Sequence, residues 1–342
     1  MFRSGRKQKS FFGDSIYERV VPKDNFLRKL KDIIDFSFVD DLCKDLYSKE
    51  MGRPAYPPSF MFKIVFLQFM YNLSDRKIAD EIAINLAMKY FLSMDVDELP
   101  PDSTSLVVFR NRLGPGRFKE IFNRIVEEAR AKGLIEDKLH IIDSTAVEAR
   151  VDLFRLKKET KQDDDDDNYA DRNSPDPDAK FGKRDSGKKT YYGYKEHAVI
   201  DGETELFVDV TVTPANVYDG HVLEALADER AGSITADKAY DSNANHAFLK
   251  ERGIRSAIIR KNNRKYAKLY NDAFCNEQKR RPVIERCFAN QKMNHGMRRA
   301  RYLGLGKVSI QAVMTCIVVN LKKITKMIAN DSLPINLIPD PT

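Results

Sequence analysis

At 342 residues, 42% hydrophobic and 32% charged, the chain has length enough for two domains with buried cores. No apolar run is long enough to cross a membrane, and the opening "MFRSGRKQKSFFGDS" lacks the apolar centre of a secretory signal. Four scattered cysteines (Cys43, Cys275, Cys287, Cys316) form no CxxC pair, which argues against a disulfide framework or zinc knuckle and for a reducing cytoplasm; the formal net charge is +7.

Residues 1–135 read as an all-α domain. "PPSFMFKIVFLQFMYNLSDRKIADEIAINLAMKYFL" has helix starts at Pro57-Pro58 and at Ser74, the latter a good N-cap, and predicts two packed helices joined at Asn72-Leu73-Ser74. "LPPDSTSLVVFRNRLG" follows, with Asp102 as N-cap and Gly114 as stop, and "RFKEIFNRIVEEARAKG" ends at Gly133. Helix, turn, helix and then a capped helix bearing Arg110 and Arg112 suit a DNA-reading domain, although any small helical bundle offers such patterns.

The character changes at Leu139. "LHIIDST" reads as a short buried strand ending in Asp143, and residues 152–189 as a polar surface insert containing the acidic run Asp163 to Asp167. "YYGYKEHAVID", a turn at Asp201-Gly202 and "ELFVDVTVTP" form a hairpin. Then come a helix ("DGHVLEALADERAG"), a strand ending in Asp237 ("SITAD"), a helix ("NANHAFLKERG"), a strand ("RSAIIR") and a last helix in "KRRPVIERCFANQK". That order over residues 136–330 describes an α/β domain with a mixed sheet.

Within the last helix Arg281, Glu285, Phe288 and Lys292 share a face, so Glu285 is either a salt-bridge partner or a metal ligand flanked by bases. Asp143 and Asp237, each singly, read as turn or cap residues. As a pair at the ends of adjacent strands they would lie about 5 Å apart. Three carboxylates that close call for hard divalent cations, and Mg²⁺ leaves positions open for phosphate oxygens and water. Two such ions clamp the attacking and leaving oxygens of a phosphoryl displacement. Residues 250–307 hold 17 Lys and Arg against 4 Asp and Glu, a balance of +13 that leaves −6 for the rest of the chain. Tyr266, Tyr270, Phe274, Phe288 and Tyr302 are interleaved with those bases, a mixture suited to a phosphate backbone. Nothing matches an HExxH zinc site, a GxxxxGK[ST] loop or a GxSxG elbow.

The blocks "IIDSTAVEA", "YYGYKEHAVID", "TPANVYDG", "TADKAYDS" and "RPVIERCFANQK…MRRARYLGLGK", with the preceding "GRPAYPPSFMFKIVFLQFMYNLSDRKIADEI", resemble the DDE transposases of bacterial insertion sequences, specifically the family numbered five within the family-four/five superfamily. The resemblance spans most of the chain. It implies a ribonuclease H-like catalytic domain at residues 136–330 behind a helical DNA-binding domain at residues 1–135. It also implies metal ligation by Asp143, Asp237 and Glu285, with Asp143 bridging two Mg²⁺ ions (Mn²⁺ substituting) and each of the others completing one site. Around the glutamate the family runs Tyr, two residues, Arg, three residues, Glu, six residues, Lys. This chain supplies Arg281, Glu285 and Lys292, but has Gln278 at the tyrosine position.

The expected partners are double-stranded DNA, both terminal inverted repeats and target, and a second copy of the chain in a synaptic complex, with no membrane. Arg281, Lys292, Arg298, Arg299, Arg301, Arg110 and Arg112 are the expected DNA contacts, and the bacterial cytoplasm at the nucleoid the expected location. The implied chemistry is water attack at the element's end followed by attack of the freed 3′-hydroxyl on target DNA. Two other classes fit the same residues: an inactive transposase-derived DNA-binding regulator, and a ribonuclease H-like nuclease without strand transfer.

Overall fold

The computed structural model describes residues 11–48, 54–160, 174–184, 189–262 and 272–331. The acidic run Asp163 to Asp167, and Tyr266 and Tyr270 of the basic region, lie outside the described residues. The chain divides into two compact units, one taking in everything up to Lys132 and again from Ile317 onward, the other Gly133–Cys316.

In the first unit the sequence forms helices α1 (Phe11–Val20), α2 (Phe26–Ile33), α3 (Phe38–Cys43), α4 (Pro58–Met70), α5 (Asp75–Ile84), α6 (Leu86–Leu92) and α7 (Ser103–Ala131). Helix α4 begins on Pro58, whose missing N–H costs nothing in a first turn, and it is buried along most of its length. Its Phe62 and Phe66 pack on Phe36 with ring centroids 5.7 and 6.3 Å apart, and Phe91 and Phe118 close the cluster. The expected caps form: Ser74 accepts from the Lys77 N–H and Asp102 from the Ser105 N–H. Gly114 interrupts α7 as the sequence predicts, with φ 64° and ψ 175°, after which helix resumes to Ala131.

The second unit holds strands β1 (Leu139–Glu148), β2 (Lys180–Arg184), β3 (Lys189–Asp201), β4 (Phe207–Pro214), β5 (Ser233–Ala236) and β6 (Arg255–Ser256). They make one sheet in the order β2-β3-β1-β5-β6, with β4 also paired to β3. Strand β3 runs antiparallel to β1, β2 and β4, whereas β5 joins β1 and β6 joins β5 in parallel. This is the ribonuclease H-like arrangement. Its helices are α8 (Leu153–Thr160), α9 (Leu223–Leu226), α10 (Asn243–Glu251), α11 (Asp272–Arg280) and α12 (Pro282–Asn294), and α13 (Leu305–Asp331) runs from this unit into the first.

Several features differ from the sequence reading, among them the helix expected in "DGHVLEALADERAG", which shrinks to Leu223–Leu226. Strand β1 does not stop at Asp143; it continues to Glu148 because β3 pairs with it throughout, from His140↔Asp201 to Glu148↔Gly193. At that far end a Cβ on Gly193 would meet the Val147 carbonyl oxygen at 2.2 Å, so the close approach requires glycine. The polar insert contains α8 and β2 and is not only loop. The strand expected in "RSAIIR" shrinks to Arg255–Ser256, while the long helix α13 was not anticipated. Over Leu305–Ala329 that helix is long and apolar enough to cross a membrane, contrary to the sequence reading, but most of that stretch is buried inside the fold.

Candidate active site

Register explains the meeting of the two aspartates. The parallel pairing of β1 with β5 ends at Ile142↔Ala236, so the next residues on the two strands are Asp143 and Asp237. Neighbouring strands lie about 4.8 Å apart, which sets the two carboxylates side by side. Chain order alone does not give this. Strand β5 ends there, and Asp237 caps the following single turn by accepting from the Lys238 N–H. The Asp143 carboxylate accepts from the Ser144 N–H at 2.8 Å.

Glu285 comes from the first turn of α12, after Pro282. Arg281 links the two elements. Its guanidinium stands 3.2 Å from Asp143 Oδ2 through one nitrogen and 3.5 Å from Glu285 Oε1 through the other. Eleven residues further along the same face, Lys292 Nζ donates to Thr145 Oγ1 at 2.5 Å. The helix thus lies along β1, with its basic residues on strand positions 143 and 145.

The charges of the three acids act on one another. Burial pushes the Asp143 carboxyl up to about 6; the Arg281 guanidinium and the Ser144 N–H pull it down, and the negative charges of Asp237 and Glu285 raise it. Among the described residues no three His, Cys, Asp or Glu side chains stand grouped closely enough to hold an ion as they are. The donor chemistry nevertheless fits a hard divalent cation: Asp143, Asp237 and Glu285 offer only carboxylate oxygens.

Arg298, Arg299 and Arg301 occupy a segment that bridges to the end of β1, where Glu148 N donates to Arg298 O and Ala300 N to Glu148 O. Arg299 also donates to the Ala149 carbonyl, and Arg298 and Arg299 are exposed. In the first unit, Arg112 is exposed, its guanidinium 4.5 Å from the Tyr47 ring centroid. Arg110 is a correction. Its side chain is buried and committed to Asp75 in a two-pronged pair (2.8 and 2.7 Å) and to Gln68, so it braces α5 against α7 and does not face a duplex. The outward face of α7 carries Thr104, Val107, Val108 and Asn111 instead.

Sequence reasoning also missed the network under Asp143. Ser144 donates to one oxygen of Asp219 at 2.9 Å and Lys195 to the other at 2.7 Å. Both Lys195 and Asp219 sat inside blocks quoted for the resemblance, yet spacing alone assigned them no partner. Gln278, at the family's tyrosine position, lies on α11 with its amide nitrogen buried and unpartnered.

A family model described as a transposase domain (DUF772) matches residues 15–112. One described as a transposase DDE domain matches residues 136–321. Among solved structures, the piggyBac transposase synaptic complex with hairpin DNA is similar over 90% of this chain and 74% of that one, at 8% identity and a TM-score of 0.43. A pre-cleavage Mos1 transpososome is similar over 84% and 82%, at 10% identity and a TM-score of 0.24. The DDE model alone covers more than half of the chain, and it spans every strand and helix that carries Asp143, Asp237 and Glu285; the protein belongs to the DDE transposase family.

Proposed function

We propose that Asp143, Asp237 and Glu285 are the catalytic carboxylates of an insertion-sequence transposase of the family numbered five, and that they hold two Mg²⁺ ions. A DDE transposase is a divalent-metal-dependent polynucleotidyl transferase acting on DNA. When bound, the ions supply an activated water and a clamp on the attacking and leaving oxygens. The observation that carries the reading is the Arg281 guanidinium shared between Asp143 and Glu285, beside the register that abuts Asp143 and Asp237.

The chain's own residues do the rest. Arg281 neutralises the acids before DNA arrives and then turns its planar donors to a phosphate at the cleaved end. Lys292, Arg298, Arg299 and Arg301 hold the strand along the β1 edge by charge. In the first unit, Thr104, Val107, Val108, Asn111 and Arg112 form an exposed helix face of the size and chemistry that enters a major groove: an amide for adenine, methyls for thymine and a guanidinium for guanine or phosphate. Residues 1–135 read the terminal inverted repeats, residues 136–330 cleave and transfer, and two copies pair two ends in the cytoplasm at the nucleoid.

The test is a labelled duplex carrying the ends that flank the gene, with Mg²⁺ or with EDTA, beside Asp143→Asn and Glu285→Gln. Metal-dependent cleavage at the ends and joining to target, both lost in the two variants, is the expected result. End binding without cleavage would leave a DNA-binding regulator. Cutting without strand transfer would leave a nuclease.

A further inference from the structure

The register Thr145↔Glu196 across β1 and β3 places Glu196 on the sheet face of Asp143 and Thr145, the face on which α12 lies. Glu196 is fully buried, and its Oε1 accepts from the amide of Gln291 on α12 at 2.9 Å. The helix is therefore fixed to the sheet at three points: Arg281 on Asp143, Gln291 on Glu196 and Lys292 on Thr145. Only the middle contact is sealed from solvent at both partners, each of which is 0% exposed.

That contact is half made. Glu196 Oε2 and Gln291 Oε1 are both buried with no hydrogen-bond partner. A buried polar atom without a partner is costly, and two acceptors cannot satisfy each other. A proton on Glu196 Oε2 converts one of them into a donor. With that proton the observed N–H to Oε1 bond would be joined by a second, from the acid O–H to the amide oxygen.

We infer that Glu196 carries this proton and, paired with Gln291, is a positioning residue that sets the catalytic helix and with it Glu285 and Arg281. Facing the pair are Lys292 from α12, held on Thr145, Cys316 from α13 with Sγ 3.8 Å from Oε1, and Val212 from β4 across the strand. The environment agrees, because burial pushes the Glu196 carboxyl up to about 7 against the pull of the Gln291 amide and the Lys292 charge. The inference rests on the assignment of Glu285 to the active site, and the experiment separates the two.

Single-turnover Mg²⁺-dependent cleavage of a duplex bearing the element's end is followed against pH for the full chain, Glu196→Gln, Glu196→Ala and Glu285→Gln. A Gln at 196 reproduces the protonated acid, donating from its amide to the Gln291 oxygen, and it cannot ionise. Glu196→Ala is expected to lose about ten- to a hundredfold in cleavage rate with its Kd for the end unchanged, as a helix displaced by a fraction of an ångström would. Glu196→Gln is expected to restore the rate at neutral pH, and its ratio to the unsubstituted protein to climb as pH rises past the Glu196 transition. A Glu196→Ala that cleaves normally, or a Glu196→Gln as slow as Glu196→Ala, overturns the inference. Full activity in Glu285→Gln instead overturns the site assignment beneath it. Should Glu196→Ala fail to fold, the infrared band of a protonated carboxyl at neutral pH, present in the unsubstituted protein and absent from Glu196→Gln, carries the test; absence from both overturns it.

Discussion

A guanidinium 3.2 Å from Asp143 and 3.5 Å from Glu285 does electrostatically what a metal ion does, with half the charge and a looser hold. Glu285 is 59% exposed on its side chain, and ion pairs open to water contribute about 0–1 kcal/mol, so a divalent ion has little to displace at Glu285. Removing the guanidinium separates its two duties. Arg281→Ala is expected to bind Mg²⁺ or Mn²⁺ several-fold more tightly by calorimetry, yet to cleave more slowly once the phosphate contact is gone. Unchanged or weaker metal binding in that variant would mean that Arg281 is not the acids' counter-charge. Glu196 makes a second claim at the same scale. Its folded carboxyl is raised from 4.5 to about 7, so the folded state holds a proton that the unfolded chain releases. The resulting stability is fully present below the unfolded value and is lost as pH rises through the folded one. A shift of that size corresponds to on the order of 3 kcal/mol. Urea unfolding at about pH 5 and about pH 8 is expected to show a loss of stability on the alkaline side that Glu196→Gln lacks. Parallel slopes in the two proteins would count against a protonated Glu196.

Helix α7 carries two arginines two residues apart with opposite fates. Arg110 points inward to Asp75 and Gln68, and Arg112 outward over Tyr47. Breaking a buried pair by deleting one partner leaves an uncompensated charge, so Arg110→Ala is expected to cost about 3 kcal/mol. Arg112→Ala is expected to leave the melting temperature unchanged, weaken end binding and reduce its salt slope by about 1. Equal melting temperatures for both variants would refute the division. The contrast also shows which parts of the elements were legible. Ser74, Asp102 and Gly114 acted where their side chains or backbone freedom placed them, because caps and breaks are local chemistry. The burial of Arg110 depends on Asp75, thirty-five positions away, and no local pattern carries that. Strand β1 was read short for a related reason. "STAVE" has weak strand character by itself and is extended because β3 pairs with it. Asp143, Asp237 and Glu285 were legible as candidates from strand ends and helix phase. The placement of Asp143 beside Asp237 needed the parallel register of β1 and β5, and Gln291–Glu196 was invisible because a Glu inside "YKEHAV" looks like any exposed strand residue.

Over the whole molecule, charge is partitioned more sharply than the net +7 suggests, with +13 between residues 250 and 307 and −6 elsewhere. A composition shift near Leu139 marks where one unit gives way to the other, whereas the return of the chain from Ile317 into the first unit leaves no compositional trace. Within the second unit many of the bases are already engaged. Arg255 pairs with Glu277, Arg280 with Glu203 and Arg286 with Glu205, so a count of cations overstates what DNA can use. Arg298 and Arg299 differ, because the bridge to β1 fixes their backbone while their side chains remain exposed, that of Arg299 donating to the Ala149 and Val151 carbonyls and not to a carboxylate. Each phosphate neutralised on a duplex releases condensed counterions and adds about 0.9 to the slope of log affinity against log salt. If these two arginines lie along the strand held at the β1 edge, the double variant Arg298→Ala, Arg299→Ala should lower that slope by about 2. It should do so equally on end-bearing and unrelated duplexes, since phosphate contacts carry no sequence, and leave the preference for the end to the α7 face. Titrating both duplexes over a range of potassium chloride distinguishes the outcomes. A slope that does not move would place the DNA away from this edge of the sheet, whereas a loss confined to the end-bearing duplex would make these arginines readers of sequence.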